Sequence, residues 1–90
     1  MSIYVDAKTI TTAGTPEALT DRTIVCSAVT IRAKSDNTGV VYICDDSDNT
    51  KLFPASGLDA RESITLPIQN PAAVTIDVSV NGEGVDWIAV

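Results

Sequence analysis

The densest group of potential metal ligands is Asp45-Asp46-Ser47-Asp48-Asn49. A hard cation such as calcium takes about six to eight oxygen ligands, often from one flexible loop. Counted from Asp45, however, the sixth position is Thr50 and the twelfth is Ser56, where an EF-hand requires Gly and Glu. A solvated loop between two strands accounts for the same residues, and no metal or cofactor is expected.

The remaining chemistry-bearing residues are sparse. The chain has no His, which removes the commonest general base and the usual zinc ligand. Cys26 and Cys44 have no His nearby in sequence and form no C-x-x-C, so neither reads as a catalytic thiol. Shielded free thiols are the default in a reducing compartment, with a disulfide as the alternative. Asp6, Asp77 and Asp86 fall on strand exteriors, and a paired-carboxylate glycosidase would need two of them to converge in a cleft. The four aromatics (Tyr4, Tyr42, Phe53, Trp87) are too few for a sugar or single-strand stacking surface. Trp87 reads as core or subunit contact, with a ligand platform as the alternative. No catalytic, cofactor-binding or metal site emerges, and the expectation is a non-enzyme.

What would position these residues follows from composition. Ten Val, nine Ile and eleven Thr make a third of the 90 residues β-branched, against four Leu. Such side chains are stiff at χ1 and suit a pleated surface. A chain of 9.4 kDa supports one domain over residues 1–90 and buries roughly 63% of its unfolded surface. Six basic against twelve acidic residues leave a net charge of −6, and the Lys and Arg are scattered singly. Nucleic acid and anionic membranes are therefore not expected partners. With no basic-then-apolar leader and no run near membrane-span length, the expectation is a soluble chain, complete from its initiator Met.

Alternation and punctuation divide the chain into about seven to eight short strands. Ser2 to Thr12 alternates Ile3, Val5, Ala7 and Thr9 against Tyr4, Asp6 and Lys8, and is either the first strand or an N-terminal arm within residues 1–12. Glu17 to Thr20 is briefly extended. Thr23 to Lys34 reads as the longest strand, with Val25, Ser27, Val29, Ile31 and Ala33 in one phase. Val40 to Cys44 buries Val41 and Ile43, and Lys51 to Pro54 extends briefly. Glu62 to Ile68 turns Ile64, Leu66 and Ile68 inward, and Pro67 confines it to an edge or ends it. Ala73 to Val80 alternates Val74, Ile76, Val78 and Val80 against Thr75, Asp77 and Ser79, and Val85 to Val90 closes the chain. The fold class is all-β, a small antiparallel β-sandwich or barrel.

The stretch Val29-Thr30-Ile31-Arg32-Ala33-Lys34, followed by Asp36-Asn37-Thr38-Gly39 and Val41-Tyr42-Ile43, resembles the small β-sandwich structural proteins of tailed bacteriophages. The likeness extends from the opening segment Ala13 to Leu19, through the loop Asp45 to Asp48 and the strand region Gly57 to Ile68, to Gly82–Val90. It covers residues 13 to 90, and its motifs are fold motifs; Ser2 to Thr12 stands outside it. The resemblance implies a virion structural protein, a capsid decoration or cement protein on the capsid exterior, made in the host cytoplasm. Its implied partners are the major capsid protein or other virion subunits, with the chain itself a homo-oligomer, dimer or trimer. It carries over no catalytic residues. A head–tail or tail subunit would share this composition, and a carbohydrate-adhesion module would require Trp87, Tyr42 or Tyr4 exposed beside polar groups.

Overall fold

A computed structural model describes residues 2–90, so Met1 of the N-terminal segment lies outside the described residues. Among the described residues eight strands run in chain order: β1 (Tyr4–Thr9), β2 (Glu17–Ala18), β3 (Val29–Ala33), β4 (Val41–Cys44), β5 (Leu52–Leu58), β6 (Ser63–Leu66), β7 (Thr75–Val78) and β8 (Gly84–Ala89). They form two four-stranded sheets, β1-β8-β3-β6 and β2-β7-β4-β5. Every pairing is antiparallel. The fold is the expected small β-sandwich. No helix among the described residues is long and apolar enough to cross a membrane.

The core lies between the sheets and is filled by the alternating apolar positions. Sheet 1 contributes Val29, Ile31, Ala33, Val85, Trp87 and Ala89, with Ile64 and Leu66 partly buried beside them. Sheet 2 contributes Val41, Ile76, Val78 and Leu58, with Ile43 packed against them. Strand β6 is an edge and ends just before Pro67, as a residue without an amide donor requires. Segments between strands also plug the core, since Ile10, Leu19 and Ile24 are all buried there.

Three elements differ from the sequence reading. Thr23–Lys34 is not one strand, because Ser27 and Ala28 both donate their amides to the Val90 carbonyl. Two residues facing one is a β-bulge, and it resets the side-chain phase. Ile24 and Cys26 therefore point inward before it and Val29, Ile31 and Ala33 after it, while Val25 is 87% exposed. Strand β5 is longer than expected, but between Val41 and Ile43 the partner positions jump from Leu58 to Phe53. Gly57 turns the chain inside that excursion with φ +81°, and a Cβ there would collide with Val40. Strand β7 stops at Val78, leaving Val80 exposed, and Ala73 belongs to a 3₁₀ turn (Pro71–Ala73) capped by Asn70. Of the two readings of the N-terminal segment, the first-strand one holds: Tyr4–Thr9 pairs with β8 of its own chain along its whole length, as the edge strand of sheet 1.

Candidate functional site

The acidic loop serves to hold the β4–β5 connection. Asp45 Oδ2 accepts the Ser47 amide at 2.9 Å, the Ser47 hydroxyl at 2.7 Å and the Asp48 amide at 3.0 Å. Asp48 Oδ1 accepts the Thr50 amide at 3.0 Å and its hydroxyl at 2.6 Å. These bonds favour the ionised forms and hold both carboxyls below the usual aspartate range, led by the Ser47 hydroxyl for Asp45 and the Thr50 hydroxyl for Asp48. Each carboxylate thus engages one oxygen with the amides and hydroxyls of its own loop. Among the described residues no three His, Cys, Asp or Glu side chains converge as a metal site.

The other carboxylates stand on separate surfaces. Asp6 is exposed, but not on the sheet exterior as expected: it stands opposite Trp87 on the inward side of edge strand β1, with Arg22 Nη1 4.0 Å away. Asp86 is exposed on β8, across from Arg32. Asp77 is on the outer face of sheet 2, as expected, but it is buried rather than solvated. Its Oδ1 accepts the Gly14 amide at 3.0 Å and the Val78 amide at 2.8 Å, so the loop after β1 is tied down over it. On the same sheet, Cys44 is buried, and burial followed by the Asp77 charge pushes its thiol up. A raised thiol is a poor nucleophile. Cys26 is buried with Sγ 3.4 Å from the Ile68 carbonyl, and both cysteines are free.

Of the four aromatics, Phe53 on β5 is 62% exposed and Tyr42 on β4 is half-buried. Trp87 is only 2% exposed and belongs to the core. Tyr4 is half-buried beneath Arg22, whose guanidinium carbon sits 5.7 Å from the ring centroid.

What the fold does present is the outer face of sheet 1. Ile3 and Val5 are 64% and 66% exposed, and Ile88 and Val90 are 36% and 38% exposed. Val5 pairs directly with Ile88, which in turn faces Thr30, so the apolar group spreads over neighbouring strands. Beside it, a shallow depression of about 240 Å³ is lined by Val5, Thr30, Arg32, Ser63, Asp86, Trp87 and Ile88. Thr30 and Thr65 share a hydroxyl–hydroxyl hydrogen bond of 2.9 Å across its strands. A second groove, of about 530 Å³, runs between β1 and β2 and is crossed by the Lys8–Glu17 ion pair at 3.1 Å. The alternation of Ile3, Val5 and Ala7 was visible in sequence, but not its direction: the apolar set shares the outward face of Ile88, while Tyr4, Asp6 and Lys8 stand opposite the core residues Ala89, Trp87 and Val85.

No family model matches this chain, and no curated protein or solved structure does either.

Proposed function

We propose that this chain is a virion structural protein, a capsid decoration or cement protein that binds across shell subunits through the outer face of sheet 1. One observation carries the reading: an acidic domain of 90 residues exposes Ile3, Val5, Ile88 and Val90 together on one sheet face. Grouped apolar side chains on a small domain favour a surface that another protein covers. Net charge of −6 suits attachment to a basic shell exterior, away from packaged nucleic acid. Many weakly bound copies on one shell gain by avidity what each lacks alone. The resemblance over residues 13 to 90 supports the same role.

The test is the copy number and position of the chain in purified particles, by quantitative mass spectrometry and imaging. Many symmetric copies on the head exterior are expected, with binding reduced by Val5→Asp and Ile88→Asp. A few copies at the neck or tail would favour a head–tail or tail subunit. Absence from particles would overturn the virion role.

A further inference from the structure

The sandwich has four edge strands, β1 and β6 in sheet 1 and β2 and β5 in sheet 2. Three are poor templates for another strand. Strand β2 has two residues, β6 has four and runs into Pro67, and β5 carries Pro54 and Gly57 and falls out of register. Strand β1 is different: six residues without Pro or Gly, in unbroken register with β8.

We propose that two copies of this chain pair antiparallel through β1, with Ala7 facing Ala7 of the second copy, so that two four-stranded sheets become one continuous sheet. The backbone directions fix the phase. The Ile10 amide donates to the Glu83 carbonyl at 2.9 Å, which continues the β1–β8 register. By alternation Tyr4, Asp6 and Lys8 exchange bonds with β8, while Val5, Ala7 and Thr9 direct their backbone groups to the open side. The Ala7 amide shows this, since it is occupied by Asp6 Oδ1 at 2.8 Å instead of a strand partner.

Charge then selects the register. With Ala7 on the two-fold axis, Val5 faces Thr9 of the second copy, and the outward backbone groups of all three odd residues meet partners. Asp6 faces Lys8 of the second copy, and Lys8 faces its Asp6. Moving the axis by one residue puts Asp6 opposite Asp6 or Lys8 opposite Lys8, and like charges directly opposite are destabilising. The pairing about Ala7 places unlike charges opposite one another twice. Asp6 then serves as a placeholder in the single chain: it holds the Ala7 amide until a carbonyl from the second copy replaces it. The two-fold axis stands perpendicular to the sheet, so the exposed Ile3 and Val5 of both copies stay on one face.

This pairing needs no shell, so it stands or falls apart from the virion role. Sedimentation equilibrium of the full chain should give twice the 9.4 kDa chain mass. Ala7→Pro removes only an outward amide, a site where an edge strand tolerates proline, and should give a folded monomer by circular dichroism. Ala7→Cys should oxidise readily to a covalent dimer, since facing Cα atoms lie about 5.5 Å apart, within bridging range. Thr9→Cys should not, because its counterpart lies four residues further along, roughly 13 Å away. If Ala7→Pro fails to fold, the cysteine pair decides. A wild-type chain that is monomeric at every attainable concentration would overturn the proposal. So would a dimer that survives Ala7→Pro, or equal cross-linking from Thr9→Cys.

Discussion

Glu83 grips Thr38 twice, its Oε2 accepting the Thr38 amide at 2.7 Å and the Thr38 hydroxyl at 2.9 Å. Its Oε1 takes the Gly39 amide at 2.8 Å. One carboxylate therefore ties the turn before β8 to the turn before β4. Both amide bonds, Thr38 first, favour the ionised form and hold this carboxyl below the ordinary glutamate range. A depressed folded-state pKa stabilises the fold at pH values above the unfolded pKa, and that stability is lost as pH falls through the folded one. Glu83→Gln should lower the melting temperature at neutral pH. The gap to wild type should shrink steadily as the pH drops below the ordinary glutamate pKa. A gap independent of pH would show that the carboxylate charge contributes nothing.

Core burial makes a sharper contrast. Ile31 and Ile76 are completely buried, one in each sheet, so replacing either with Ala should cost about 2–5 kcal/mol. Val25→Ala, on the exposed side of the bulge, should fall within about 0.5 kcal/mol of wild type. Urea unfolding of the three variants measures this, and near-equal midpoints would refute the assignment of faces.

Two glycines with similar backbone angles should behave differently. Gly14 and Gly57 have φ of +86° and +81°, but among the described residues a Cβ meets nothing within 4 Å at Gly14 and meets Val40 at Gly57. Gly14→Ala should cost about 1–3 kcal/mol from backbone strain alone. Gly57→Ala should cost more, because Val40 must also shift. Equal losses in thermal unfolding would mean the β4–β5 excursion relaxes freely.

Thiol reactivity checks the burial of Cys26 and Cys44. Native protein without reductant should label slowly at both, with Cys44 further retarded by its raised pKa, and both should label at once after unfolding. Intact-mass spectrometry follows the two additions. Rapid native labelling would contradict shielding, and absent labelling after unfolding would indicate oxidised sulfur.

The strands legible in sequence were those whose neighbours follow local rules. Ile64, Leu66, Val74, Ile76 and Val78 alternate over a few residues, and Pro67 marks an end that needs no knowledge of the partner strand. What escaped depends on distant atoms. The phase change at Ser27 and Ala28 exists because both amides reach Val90, a residue whose position no nearby pattern discloses. Asp77 looks like any outward strand aspartate until the Gly14 loop is seen to cover it. Ile10, Leu19 and Ile24 fill the core from just outside the strands, Ile10 and Ile24 in the phase opposite to the Val5 and Val25 sets that the alternation singled out. The outer-face apolar group was half legible: Ile3 and Val5 alternate plainly, but their adjacency to Ile88 and Val90 comes from the β1–β8 pairing.

Trp87 is the single tryptophan of the chain, and its buried Nε1 has no hydrogen-bond partner among the described residues. An indole held dry, with nothing to stabilise its excited-state dipole, emits at short wavelength, and water entry shifts the emission to the red. Its side chain points into the sandwich, whereas Val5 and Ile88 point out and the Ala7 backbone faces the open edge. The fluorescence of this one ring is therefore an optical gauge of the interior alone. It should stay silent when copies associate or dock, and change only when the two sheets part.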